Sequence, residues 1–280
     1  MTATGVTTEW EVERLDLDAY LARIGLDAPP PPTAKGLRRL HRAHALAIPF
    51  ENLDVLLGRG IRLDIDALQD KLVGRRRGGY CYEHNLLFSA ALERLGMEVV
   101  RLSARVRMGS EHLRPHSHML MRVDAGGVDW LADVGFGGEG LIDPIPFADG
   151  AVTHSEAGWN HSLSRESEST WVLRALHADG WFDLYAFTLE PQHHVDYVVY
   201  NHYISTFPRS PFVTTLVAQR SAPDRRLTLT DLRLVETLPG GEETVTELDP
   251  DGLADTLRER FDIPLDAEEA EGLRSRAQAV

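Results

Sequence analysis

The sequence predicts an α+β protein with a helical first third, a β-rich middle and a mixed end. Three observations carry this. Apolar residues recur at helical spacing up to Gly96. After Gly96 the period changes to two. The last third mixes alternating runs with one amphipathic helix.

The elements follow in order. Residues 18–25 read as a helix with Leu17, Tyr20, Leu21 and Ile24 on one face and Gly25 as its stop. Four prolines, Pro29 to Pro32, make a stiff connector. Thr33 then caps a second helix, with Leu37, Leu40 and His44 on one side, that ends before Pro49. A third helix starts after Asp64, with Ile65, Leu68 and Leu72 inward. A fourth spans 82–95, with Leu87, Phe88, Ala91, Leu92 and Leu95 inward and Gly96 as its stop. Residues 99–107, 117–123, 128–134, 171–176 and 182–189 alternate as strands of a sheet or barrel. Hairpin signals stand at 124–127 and 178–180. Residues 226–236 and 243–247 read as further strands. Asp249 and Pro250 then open a helix with Leu253, Leu257 and Phe261 on its apolar stripe.

Composition excludes several function classes. The chain has 280 residues, a formal charge of −14 and one cysteine, Cys81. Phosphates would be repelled by such a chain, so it is not a general nucleic-acid binder. One cysteine permits no internal disulfide and no Cys-rich metal site, and it favours a reducing cytoplasm. No apolar run reaches the roughly 18–20 residues of a membrane span. The acidic start, with Glu9, Glu11 and Glu13, does not read as an export signal.

Cys81 lies in Arg77-Gly78-Gly79-Tyr80-Cys81-Tyr82-Glu83-His84-Asn85. The glycines are expected to form a tight turn that sets the thiol at a helix N-terminus. Unpaired N–H groups there favour a thiolate. A nucleophile needs a base, and the base an orienter. His116 and His118 begin one strand, and Asp133 ends the strand that should pair with it. Cys, His and acid in that order match papain-like thiol enzymes. Both histidines point to one face of a regular strand, so parity does not choose between them. The segment Asp133-Val134-Gly135-Phe136-Gly137-Gly138 allows close approach of a ligand, with Phe136 as an apolar wall. It lacks a dinucleotide fingerprint. His193 and His194 read as strand neighbours on opposite faces, so no metal site is expected there.

Six segments occur in order: Pro49-Phe50-Glu51-Asn52-Leu53, the Cys81 motif, Ser117-His118-Met119-Leu120-Met121, the Asp133 loop, Glu190-Pro191, and the run from Asn201 to Phe212. Together they resemble the arylamine N-acetyltransferase family, in particular its bacterial members, over about residues 15 to 215. The resemblance implies three parts: a helical bundle (1–95) carrying the nucleophile, a central β-barrel (96–212) carrying His and Asp, and a C-terminal α/β lid (213–280). It implies a papain-like core of Cys81, His118 and Asp133, with His118 chosen over His116. It implies acetyl-CoA as acyl donor and an arylamine, arylhydrazine or N-arylhydroxylamine as acceptor, with transfer through an acetyl-Cys81 thioester. Phe136, Phe50 and Ser117 are expected against the acceptor, and Tyr203 and Gly137 against CoA. Glu51 and Arg77 match a structural ion pair that braces the loop before Cys81.

Arg114 and Arg209 are candidate phosphate contacts from their charge and place. Residues 75–122 hold nine arginines against four acids, a local +5 inside the acidic chain. The sequence departs from relatives at Tyr80, His116 and Phe207. A monomer or homodimer is expected. An amide synthase that closes a macrolactam, a hydrolytic thiol enzyme and a non-catalytic binding module are the competing readings.

Overall fold

A computed structural model of the chain describes residues 9–110, 112–153 and 158–278. The start of the chain, read above for an export signal, lies mostly outside the described residues, as does Glu111 of the basic stretch.

Helix α1 (Leu17–Arg23) begins at Asp16, whose carboxylate accepts from the Ala19 N–H at 3.0 Å, and stops at Gly25, where φ is +73°. Helix α2 (Ala34–Ala47) is capped by the Thr33 hydroxyl through the Gly36 N–H at 3.2 Å. A short strand β1 (Phe50–Glu51) and the single turn α3 (Leu53–Leu56) follow. Asp64 caps α4 (Ile65–Gln69), which widens into a π-type turn over Asp70–Gly74. Helix α5 (Cys81–Arg94) comes next. It is buried on every side from Cys81 to Leu92, so the expected stripe is one side of an enclosed helix, and Leu95 is only half-buried.

Gly78 and Gly79 do not form the expected tight turn. They run beside β1, where the Glu51 N–H donates to Gly79 O at 2.8 Å. Closeness, not turn geometry, demands glycine. A Cβ at Gly78 would stand 2.1 Å from Pro49 O, and one at Gly79 2.7 Å from Glu83 Oε2.

The middle of the chain supplies β2 (Glu98–Val106), β3 (His116–Asp124), β4 (Asp129–Ala132), β5 (Ile145–Pro146), β6 (Ala151–Val152), β7 (His161–Arg165), β8 (Trp171–His177) and β9 (Gly180–Phe187). They form one antiparallel sheet, ordered β5-β4-β3-β2-β9-β8-β7-β6. Its outer strands β5 and β6 are joined by residues 147–150 alone. The sheet therefore curls into a nearly closed barrel. Strand β3 serves two cores. Leu120 faces the barrel interior with Leu102, Leu131 and Leu173, while Met119, Met121 and Val123 face the helices.

Helices α6 (His194–Thr206) and α7 (Pro211–Thr214) return the chain to the bundle. His193 and His194 are not strand neighbours. His193 is the N-cap of α6 and His194 its first residue, and Asp196 accepts from the His193 N–H at 2.8 Å. The valines of α6 disguise this helix as a strand. Glu9 holds the pair, through His193 Nδ1 at 3.0 Å and the His194 N–H at 3.1 Å.

The end of the chain builds a second sheet, β1-β10-β11-β12-β13, from β10 (Val217–Ser221), β11 (Arg226–Thr230), β12 (Arg233–Thr237) and β13 (Glu243–Glu247). The run expected as one strand over 226–236 is a hairpin. Asp231 breaks it with φ +51°, and its carboxylate accepts from the Leu216 N–H at 2.9 Å. Strand β1 belongs here by pairing, with Phe50 opposite Gln219. Helices α8 (Leu253–Phe261) and α9 (Ala267–Gln278) cover this sheet, and Leu253, Leu257 and Phe261 are buried as the stripe requires.

Candidate active site

Cys81 is the first residue of α5. Glu83 turns back to accept from the Tyr80 N–H at 3.0 Å, and the Tyr80 hydroxyl bonds Asn201 of α6. The thiol donates to Ser117 O at 3.7 Å. Asn85, one turn on, holds three groups at once. Its Nδ2 donates to Met119 O at 2.7 Å and Asp133 Oδ1 at 2.9 Å, and its Oδ1 accepts from the Val134 N–H at 3.0 Å. The helix that carries the thiol thus locks β3 and the Asp133 loop beside it.

A β-bulge separates the two candidate histidines. Ala104 pairs with His118, but the next residue, Arg105, pairs with His116, so Ser117 is the extra residue in β3. The strand is not regular there, and the two rings point to opposite faces. His116 bonds Ser103 Oγ at 2.8 Å and stacks on Tyr200 of α6. His118 turns to the Cys81 side, where its Nε2 meets Asp133 Oδ2 at 2.6 Å and the ring packs against Phe136 and Tyr185.

Asp133 follows β4 directly and is fully buried. Besides His118 and Asn85, its carboxylate accepts from the Gly135 N–H at 3.0 Å and the Tyr185 hydroxyl at 2.9 Å. Burial pushes the carboxyl up, but the His118 charge and the hydrogen bonds outweigh it and hold the group below its usual range. Burial pulls His118 down, but the Asp133 charge, the bond to Asp133 and the Cys81 thiol raise it to about 10. The imidazole therefore keeps its proton near neutral pH. Beneath, His41 Nε2 accepts from the Asp133 N–H at 3.2 Å and its Nδ1 donates to Ile142 O at 3.0 Å. Gly135 must be glycine, because a Cβ there would lie 2.9 Å from Cys81 Cα.

A cleft of about 610 Å³ opens over Cys81 and His118. Phe50, Phe136, Phe212 and Tyr203 give it aromatic walls, and Ser117, Arg114 and Arg209 line it too. Both arginines and Tyr203 are exposed, and Tyr203 stacks on Phe207. Asp133 stands behind His118. Gly137 packs against Gln219 and Phe50 and does not line this cleft.

Glu51 and Arg77 belong to a larger buried set. Arg77 reaches Glu51 at 2.9 Å and Glu269 of α9 at 2.7 Å, while Lys71 meets Asp54 at 2.9 Å and Glu83 at 2.8 Å. Asn85, Tyr185, His41 and Glu269 carry no role in the sequence reading. Only Asn85 had a local signal, four residues after Cys81 on one helix face. Among the described residues no group of three or more His, Cys, Asp or Glu is placed to hold a metal ion. Among the described residues no helix is long and apolar enough to cross a membrane.

The family model described as N-acetyltransferase matches residues 33–270. The Arylamine N-acetyltransferase / N-hydroxyarylamine O-acetyltransferase of Salmonella typhimurium is 39% identical over 250 residues, 88% of this chain and 88% of the relative. The crystal structure of Nocardia farcinica arylamine N-acetyltransferase superposes with a TM-score of 0.90 at 44% identity, covering 96% of this chain and 97% of that one. Mycobacterium marinum arylamine N-acetyltransferase in complex with CoA gives 0.88 at 38% identity, covering 95% and 99%. With matches of this identity along most of its length, the chain belongs to the arylamine N-acetyltransferase family.

Proposed function

We propose that the protein moves an acetyl group from acetyl-CoA to the nitrogen of arylamines and arylhydrazines, and to the oxygen of N-arylhydroxylamines, through acetyl-Cys81. The observation that carries this is His118 held against Asp133 and bordering, together with Cys81, an aromatic-walled cleft. The arylamine enzymes among its relatives support acetyl transfer over macrolactam closure or hydrolysis.

The steps follow from the side chains. Cys81, as a thiolate beside imidazolium His118, attacks the thioester carbonyl of acetyl-CoA. N–H groups at the start of α5 stabilise the oxyanion. Collapse expels CoA sulfur, which takes the proton from His118. An amine then attacks acetyl-Cys81 and gives its N–H proton to the neutral His118. Expulsion of the Cys81 thiolate restores the ion pair. Asp133 orients the imidazole and stabilises its charge throughout.

In this reading residues 1–95 deliver the nucleophile, 96–212 the base and acid, and 213–280 a lid, whose Val217, Gln219 and Thr228 border the cleft. Phe50, Phe136 and Ser117 contact the acceptor. Tyr203, Arg114 and Arg209 contact CoA, and Gly137 shapes that wall from behind. A complete Cys-His-Asp set in each chain suits a monomer or homodimer. The lone thiol nucleophile suits the reducing cytoplasm.

Intact mass tests the reading. Incubation with acetyl-CoA and no acceptor should add one acetyl group, on Cys81, absent in Cys81→Ser. An arylhydrazine should then remove it. No adduct, and no CoA release even with the arylhydrazine present, overturns acetyl transfer.

A further inference from the structure

The cleft is not electrically uniform. Among the described residues that line it, Glu139 is the single carboxylate. Its side chain is about one-third exposed, neither free in solvent nor enclosed. Its Oε2 meets His177 Nε2 at 2.7 Å, and that imidazole is itself stacked on Phe182. Oε1 has no protein donor among the described residues.

The backbone around Glu139 is fastened on both sides. Gly138 N–H donates to Gln219 Oε1 at 2.8 Å, and Glu139 O accepts from His161 Nε2 at 2.8 Å. Gly140 N–H closes a turn onto Gly137 O at 2.8 Å. Gly140 O accepts from buried Arg226 at 2.9 Å, so that cation bonds the backbone and acts on the Glu139 carboxylate through its charge, without a hydrogen bond to it. The carboxylate is therefore held in place before any ligand arrives, three residues along the loop from the Phe136 ring that packs on His118.

We infer that Glu139 selects the acceptor, so that aromatic amines and hydrazines with a cationic or hydrogen-bond-donating substituent are favoured over those with a carboxylate. The inference rests on the acyl-transfer reading above. The phosphates of an acyl donor are repelled by Glu139 and attracted by Arg114 and Arg209. This leaves the Glu139 side of the cleft to the second substrate. There Oε1 accepts from an ammonium, amidine or hydroxyl on the ring, while a ring carboxylate is left facing like charge in a site shielded by aromatic walls.

The test compares three acceptors of one shape: 4-methylaniline, 4-aminobenzoate and 4-(aminomethyl)aniline. They are compared on enzyme first shown by intact mass to carry acetyl-Cys81. With kcat/KM for each referred to 4-methylaniline, Glu139→Gln should narrow the preference for the cationic over the anionic acceptor by about tenfold. Glu139→Lys should invert it. A cation-to-carboxylate ratio that is the same in both variants as in the parent overturns the role of Glu139 and leaves acyl transfer standing. Failure of the parent to form acetyl-Cys81 overturns both.

Discussion

Two sets of buried charges flank the first turn of α5, and they are built differently. On one side lie Arg77, Lys71, Glu51, Asp54, Glu83 and Glu269. On the other lie Cys81, His118 and Asp133. In the first set every charge faces an opposite charge, and no member borders the cleft over Cys81. In the second, Asp133 is saturated by donors while His118 and the thiol border open space. Burial with each charge set near an opposite one makes a brace. Burial with one member left facing a cleft makes a reactive centre.

The comparison can be broken most sharply at Asp133. Asp133→Asn keeps the shape and removes the charge, so acetyl-Cys81 formation should slow by about 10³-fold with the fold retained. The pH profile carries the sign. His118 is raised from 6.5 to about 10, so it keeps its proton through neutral pH, and the stability this contributes is full below about 6.5 and lost as pH rises from there through about 10. Without the Asp133 charge the Cys81 thiolate loses its imidazolium partner near neutral pH, so the rise of Cys81 alkylation by iodoacetamide with pH should move to higher pH. An unmoved limb would mean that Asp133 does not hold the proton on His118.

Arg77→Met attacks the brace instead. It leaves Glu51 and Glu269 short of a buried cation and should cost about 3–5 kcal/mol in urea unfolding. The protein that remains folded should still acetylate Cys81. Unchanged stability would contradict the assignment of these charges to structure. The smallest effect is expected from Tyr185→Phe, which keeps the ring on His118 but removes one of the donors to Asp133. About a fivefold slower single-turnover acetylation is expected, in line with roughly 1 kcal/mol for one hydrogen bond. A hundredfold loss would show that the donors to Asp133 are not interchangeable.

These contrasts mark where local reading stops. Caps, stops and apolar periods of α1, α2 and α4 were legible because each depends on residues a few positions apart. So was the placement of Cys81 at a helix start. The break at Asp231 was not, because its carboxylate answers the Leu216 N–H from another strand. Gly78 and Gly79 read locally as a turn, whereas what demands glycine at Gly78 is Pro49, nearly thirty positions back and brought close by the fold. Helix α6 was hidden by its valines, whose β-branched side chains read as strand.

The sequence by itself determined that the chain is α+β, that its single thiol begins a helix, and that a histidine and an acid follow on neighbouring strands. Periodicity, capping and order are properties of the chain. The residue pattern left two histidines open and the family resemblance implied His118, but tertiary structure supplied the physical reason. One extra residue at Ser117 turns His116 onto α6 and leaves His118 against Asp133, because side chains alternate across a strand and a bulge resets the alternation. It also brought Tyr185 and Asn85 to the Asp133 carboxylate and Glu269 to Arg77, 192 positions away. Buried charges must find partners wherever the fold supplies them, and no local pattern announces which ones those are.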